Sequence, residues 1–505
     1  MENSSHKKTL FQKLAEWAKP VDLTVGKPWR VIIKYSVPIM LSYFLQQIYV
    51  LTDAIICGQV LSAEQVAGVN DTFPLTFIFL QFAFGCTAGF SVITARKVGT
   101  NDISGVRKSF MTQVYLSVLI SAVLTLASTL LLTPMLRLIN VTSENPEVYN
   151  AAYEYCFVIF IGIFAQMGYN FICGILRAYG DSVTPLVFLV ISTLLNVGLD
   201  ILFLVPLGMG PIGAAIATVL AQLISVAACC VYMFARYKEL RPAREDCAFR
   251  LHDILEHLKQ GLPLGFQFSI LAFGIIVMQG AVVSFDIMKS GIMVAGTPAQ
   301  NGFGAASKLL NFLMSLFQGL SSAILGYNAQ NYGKGEYERI RKGTAQTLVI
   351  MLVIAAFCMA SGMLLTIGGA YQYIFLSADK ISPSSVMYGN AYLFTTLIPF
   401  SVLGYLYVMR SADQGIGKVG YVLGAGIAEL AARVLICAFL PAAINGAAID
   451  STASLAAYVA VCMGDPGAWL AACVVLTVPA VKYIFKKFAP GCKNPLLNDR
   501  DIKGF

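Results

Sequence analysis

Apolar residues along the chain fall in runs of roughly twenty or more, the length a helix needs to cross the ~30 Å hydrocarbon core of a bilayer. They recur from Val31 to Lys487. The runs predict about twelve spans, near 31–58, 66–95, 110–134, 150–176, 184–205, 211–235, 261–287, 299–329, 344–376, 387–411, 417–441 and 466–486. The alternating pattern of a transmembrane barrel is absent. The fold class expected is therefore an all-α polytopic membrane protein.

Composition strengthens this reading. Of 505 residues, 57% are hydrophobic and 12% charged, about half the charge of a soluble domain, so a water-soluble fold could not cover its surface. Glycines and prolines lie inside the runs, where neighbouring helices or a cavity can satisfy freed backbone groups. Most cysteines, such as Cys57, Cys86, Cys173, Cys229 and Cys358, also sit inside runs without metal-type spacing, as small packing residues do. Residues 1–30 hold Lys7, Lys8, Lys13, Lys19, Lys27 and Arg30 around one short amphipathic stretch, Leu10 to Trp17, and read as an N-terminal segment rather than a cleaved signal peptide.

Loop charge sets an orientation. Arg96, Lys97, Arg107, Lys108, Arg177, the basic middle connection at 236–260, Lys334, Arg339, Arg341, Lys342, Arg410, Lys418, Lys482, Lys486 and Lys487 follow alternate spans. The opposite connections carry Glu64, Glu144, Glu147, Asp379, Asp450 and Asp465. By the positive-inside rule both termini are cytoplasmic, in a plasma-membrane protein. Basic loops that meet anionic lipid explain the net charge of +8 without nucleic acid. His252 and His257, in the middle connection, are expected to be solvated.

The chain also repeats itself. Gly85, Ala95, Gly99, Arg107 and Lys108 recur as Gly319, Ala329, Gly333, Arg341 and Lys342 at one offset of 234 residues (319 − 85). Pro38 recurs as Pro263, and Arg177 to Asp181 is echoed by Gln414 to Lys418. Two six-span lobes follow, 31–235 and 261–488, joined by 236–260 and followed by a cytoplasmic tail, 489–505. Six is even, so the two copies run parallel, about an axis along the membrane normal.

Charges at mid-membrane are expensive and call for a partner or a function. Asp53 follows Gln46, Gln47 and Tyr49 in the first span, and Pro38 removes a helix bond there, which suits a bend. Asn196 and Asp200, four apart, share a face of the fifth span with Thr193. A carboxylate held in low dielectric favours its protonated form, so such a cluster can take up a proton from one side and release it on the other, or ligate Na⁺. The same groups also serve as plain interhelical glue. Glu429 and Arg433 are spaced to neutralise each other, and Asp71 and Asp286 fall near span ends, close to water.

The stretch Gln46-Gln47-Ile-Tyr49-Val-Leu-Thr-Asp53-Ala-Ile-Ile-Cys-Gly58 resembles the first-span signature of the multidrug and toxic compound extrusion (MATE) family. So do Arg177-Ala-Tyr-Gly-Asp181, Asn196-Val-Gly-Leu-Asp200 and Gly210-Pro-Ile-Gly213, in order and spacing. The resemblance, covering about residues 26–488, implies an antiporter that moves H⁺ or Na⁺ inward while lipophilic, mostly cationic organic compounds leave through a cavity between two lobes. It implies a cation-coupling cluster at Tyr49, Asp53, Asn196, Asp200 and Thr218, with Na⁺ ligands at Asp53, Asn196 and Asp200, and a hinge at Pro38. Gln46, Gln47 and Gln267 are the candidate cavity residues. Gln267 stands where other branches of the family carry a carboxylate, which favours coupling in the N-terminal lobe.

No cofactor, enzymatic chemistry or partner protein is expected, and the chain reads as a monomer in the lipid bilayer. A phosphate-binding glycine loop is missing, as is a charged or carbonyl selectivity filter. A lipid-linked oligosaccharide flippase of the same superfamily is the alternative. Such a protein would line its cavity with Arg and Lys, of which the spans show little beyond Arg433. The segment 442–467 is longer than expected, and its apolar part, Leu455 to Met463, is too short to span. It reads as an interfacial or re-entrant piece on the outer side.

Overall fold

A computed structural model describes residues 19–139, 141–377 and 380–488. The basic stretch at 7–17, the tail at 489–505 and Asp379 lie outside the described residues.

The apolar runs fold as helices, numbered here along the chain. The first half comprises α1 (Pro28–Val60), α2 (Ala63–Asp71), α3 (Phe73–Gly99), α4 (Ile103–Leu130), α5 (Leu132–Leu138), α6 (Pro146–Ile161), α7 (Ile163–Ala178), α8 (Val183–Leu204) and α9 (Pro211–Arg236). The second comprises α10 (Leu251–Val283), α11 (Pro298–Lys334), α12 (Tyr337–Thr366), α13 (Gln372–Phe375), α14 (Pro383–Leu397), α15 (Phe400–Gly415), α16 (Val419–Asn445), α17 (Leu455–Cys462) and α18 (Gly464–Pro479), which runs on as a π-helical stretch, Ala480–Lys487. Among the described residues, ten helical stretches are long and apolar enough to cross a membrane. Two bent pairs, α6–α7 at 44° and α14–α15 at 53°, bring the total to twelve. Gly162 stands at the first break and Pro399 at the second, residues that interrupt a helix by lacking a side chain or an N–H.

Local chemistry sets the helix starts. Ser62 and Gln65 close a capping box at α2, Asn145 caps α6, and Ser382 caps α14, each satisfying amides that a helix leaves free. Asp286 does this at longer range. It is fully buried, and its two carboxylate oxygens accept the amides of Ala299 and Gln300 at 3.0 and 2.9 Å, at the first turn of α11. The expected solvation of Asp286 is thus corrected, because its helix turns back over the end of α11. Asp71 is exposed, as expected.

The lobes meet through small residues. Gly85 and Gly89 of α3 press on the α10 backbone at Leu264 and Gly261, while Gly319 of α11 presses on Met40 of α1. Gly99 and Gly333 lie against the backbones of Gln330 and Arg96, so α3 and α11 touch at their basic ends. Only residues without a Cβ allow such an approach. The offset read from the sequence thus appears as matched contacts. Within the first lobe Tyr35 Oη donates to the Arg177 carbonyl at 2.7 Å, and within the second Gln260 Nε2 donates to the Gln414 carbonyl at 3.0 Å. Both described chain ends reach this end of the bundle. Arg339 donates to the carbonyls of Leu23 and Gly26, and Phe488 stacks on Tyr337.

Two expectations change with the packing. The stretch from Leu455 is no interfacial piece. With α18 and the π-helical stretch it forms one span, Leu455–Lys487, and Tyr458, Val461 and Cys462 are buried in the second lobe. It was too short only because Gly464, Asp465 and Pro466 interrupt the apolar run, and the helix passes straight through them. His257 is buried rather than solvated, since α10 begins at Leu251 and carries it inward. Its Nε2 lies 2.8 Å from Ser109 Oγ.

Candidate functional site

The fifth span, α8, brings Asn196 and Asp200 onto one face, as their spacing requires, and both are buried. The first span lies beside it and adds Tyr49 and Asp53. Thr218 comes from α9. Tyr49 Oη reaches Thr218 Oγ1 at 3.5 Å, and Asn196 Nδ2 reaches the same oxygen at 3.4 Å. The five predicted positions therefore converge from three helices.

The carboxyl groups of Asp53 and Asp200 are close enough to interact with each other. Two carboxylates can hydrogen-bond each other only with a proton between them. Asp53 Oδ1, both oxygens of Asp200 and Asn196 Oδ1 are buried with no hydrogen-bond partner among the described residues. A protein leaves buried acceptors unsatisfied at a cost of about 1–3 kcal/mol each, more for charged groups, unless something binds there. Oxygen atoms only, two carboxylates and one amide, also fit a hard cation such as Na⁺. Thr193 stays out of the cluster, because its hydroxyl bonds the Leu189 carbonyl of its own helix.

The remaining candidates separate. Pro38 is buried within α1, which continues through it. Gln46 is exposed and Gln47 partly so. Gln267 is fully buried in this conformation. It is enclosed between α10 and α16 with its Cγ against Gly426 and neither polar atom bonded.

In the second lobe the Glu429–Arg433 pair expected from spacing is present, but sequence reasoning missed the larger buried ion network to which it belongs. Glu429 accepts from Arg410 at 2.6 Å and lies 3.6 Å from Arg433, which in turn holds Asp465 at 2.8 Å. Tyr392 Oη donates to Asp465 at 2.7 Å. Arg410 and Asp465 had been placed in opposite loops, and both are drawn inside by charges already there. A further intramembrane cation, Lys308 in α11, also escaped notice, so the spans hold more than Arg433. The signal was present in each case, a basic or acidic residue a few positions within an apolar run.

Twelve spans in two matched lobes, with a buried carboxylate pair confined to one of them, define a multi-pass membrane transporter. The profile of the MatE family matches residues 38–202 of the chain. The chain is 28% identical over 408 residues to the probable multidrug resistance protein YpnP of Bacillus subtilis, covering 80% of this chain and 86% of that one. To a FAD transporter of Shewanella oneidensis it is 23% identical, over 64% of this chain and 70% of that one. Its fold matches a multidrug resistance MATE family transporter of the MOP superfamily in an outward-facing conformation, with a TM-score of 0.78 and 20% identity over 92% of this chain and 98% of that one. A MATE structure in the straight conformation gives 0.77 at 21% identity, over the same shares.

Proposed function

We propose that this chain is a secondary-active antiporter of the plasma membrane that exports amphipathic organic compounds in exchange for H⁺ or Na⁺. The observation that carries the proposal is the Asp53–Asp200 pair, in which Asp200 is fully buried and Asp53 half-buried, with Asp53 Oδ1 and both Asp200 oxygens buried and unpartnered.

With both carboxylates ionised, the like charges repel in a medium of low dielectric, and a proton or Na⁺ taken between them removes the repulsion. Binding therefore draws α1 toward α8, and release lets them part. Because α1 also packs on α11 of the other lobe at Gly319, its movement changes how the lobes meet, and Pro38 supplies the weak point at which it bends. Tyr49, Asn196 and Thr218 hold the pair in register. With both termini in the cytoplasm, the interlobe contacts described above close the cytoplasmic side. The multidrug-resistance relatives support organic compounds as the cargo class.

The test is reconstitution in liposomes, with efflux of a fluorescent organic compound followed under an imposed pH or Na⁺ gradient for the wild type and Asp53→Asn. Gradient-driven efflux that the substitution abolishes supports the reading, and efflux indifferent to both gradients sinks it. A flippase for a lipid-linked oligosaccharide is the second reading, favoured by the intramembrane Lys308. It predicts movement of a polyprenyl pyrophosphate between leaflets, with no efflux of soluble dyes.

A further inference from the structure

Lys308 lies ten residues inside α11, about 15 Å along its axis at 1.5 Å per residue. It is exposed, and among the described residues no carboxylate lies within ion-pairing distance of it. A cation at such depth does not face lipid without a heavy cost; it faces a bundle interior or a watered cavity.

The helix itself shows which. Lys308, Asn311, Ser315, Gly319, Gly326 and Gly333 follow at spacings of three, four, four, seven and seven, and so form one stripe. The lower part of that stripe receives the first lobe, with Gly319 on Met40, Gly326 beside Tyr35 and Gly333 on Arg96. The opposite side of α11 is packed into its own lobe, where Phe303 meets Tyr392 and Phe317 meets Phe400. Above Ser315 the stripe has no cover. Asn311 is exposed, and a methyl group added at Gly304 would meet nothing within 4 Å. Lys308 therefore points into the space left where the lobes part.

That space has a floor. Phe312, one turn below Lys308, lies 5.7 Å from Phe44 of α1 and 5.9 Å from Phe375, ring centre to ring centre. On the facing wall Gln47 stands one turn above Phe44, at the level of Lys308. Lys380 adds a second positive field at the Lys308 ammonium. An aromatic floor under an ammonium without a carboxylate partner among the described residues, with amides on both walls, complements a ligand that is aromatic at one end and negative at the other.

We propose that Lys308 is the specificity residue of the interlobe cleft, and that it selects aromatic organic anions bearing a carboxylate or phosphate. The proposal rests on the transporter reading and gives its cargo a charge, so that anions rather than cations are preferred.

Binding in nanodiscs of zwitterionic lipid tests it without any coupling ion, using 5-carboxyfluorescein and ethidium as probes. The wild type is expected to prefer 5-carboxyfluorescein. Lys308→Met should weaken that binding about tenfold or more, the worth of one charge-assisted hydrogen bond, and Lys308→Glu should reverse the preference. Lys308→Arg should keep it, which separates loss of charge from misfolding. Tighter binding of ethidium by the wild type, or anion affinity unchanged in Lys308→Met, overturns the proposal. So does Lys308-dependent binding of a polyprenyl pyrophosphate with none of 5-carboxyfluorescein. Lys308-dependent binding combined with efflux indifferent to pH and Na⁺ gradients would instead overturn the antiport reading and leave this one standing.

Discussion

Arg96 and Gln330 occupy equivalent positions 234 residues apart (330 − 96) and make the same bond in opposite directions. Arg96 Nη2 donates from α3 to the Gly415 carbonyl at 3.2 Å, and Gln330 Nε2 donates from α11 to the Ala178 carbonyl at 2.6 Å. Each accepting carbonyl ends the second half of a bent span in the other lobe, so the pair fastens the two lobes at their basic ends. Hydrogen bonds of this kind contribute about 1 kcal/mol net, and somewhat more for the guanidinium. The Arg96→Ala, Gln330→Ala double variant is expected to open this end. Spin labels at Ser104 and Lys342 should report longer distances than in the wild type, and an unchanged distribution would show that the glycine contacts alone hold the lobes.

Replacing either carboxyl of the first-lobe pair removes half of the site that would bind a proton or Na⁺. Asp53→Asn and Asp200→Asn should each reduce gradient-driven efflux to the rate of protein-free liposomes while leaving the helical fold intact, as followed by circular dichroism. The double variant should be no worse than either single one, since residues that act as a unit are not additive. Additive losses in the three variants would mean that the two carboxyls act separately.

The second-lobe network is charge-balanced, so breaking it is costlier than replacing it. Arg433→Met leaves Asp465 with only the Tyr392 hydroxyl, and removal of one partner from a buried ion pair costs about 3–5 kcal/mol. A clear drop in the thermal midpoint of the solubilised protein is expected. Adding Asp465→Leu removes the stranded charge and should recover most of the loss. No recovery would place the importance of Arg433 in its bond to Glu429.

Asp286→Ala strips two amides of the first turn of α11 of their acceptor. Loss of a helix cap costs about 0.5–2 kcal/mol, and this one is fully buried, which puts the expectation at the upper end. Hydrogen exchange should rise at Ala299 and Gln300 before it rises elsewhere in the helix. Protection unchanged at those amides would count against the capping role.

How far the chain could be read depended on how local each signal was. The twelve spans, the repeat and the placement of Asn196 beside Asp200 rest on spacing along a single helix. The helical period translates that spacing into a shared face without knowledge of neighbours. The same reasoning failed where charge interrupted an apolar run. Arg410 and Asp465 read as loop residues, and Leu455 to Met463 as a fragment, because hydropathy scores a charged residue as though it met lipid.

What the sequence determined by itself was the bilayer as solvent and the number of crossings, since no other environment accepts such a chain. Its parallel repeat further implied matched lobes. Only the tertiary structure decided which polar groups inside the membrane have partners. Packing gave Arg433 and Glu429 their counter-charges, left Asp53 and Asp200 facing each other, and left Lys308 facing open space. The cost of a buried charge depends on what stands beside it, and that is set by helices far apart in the chain.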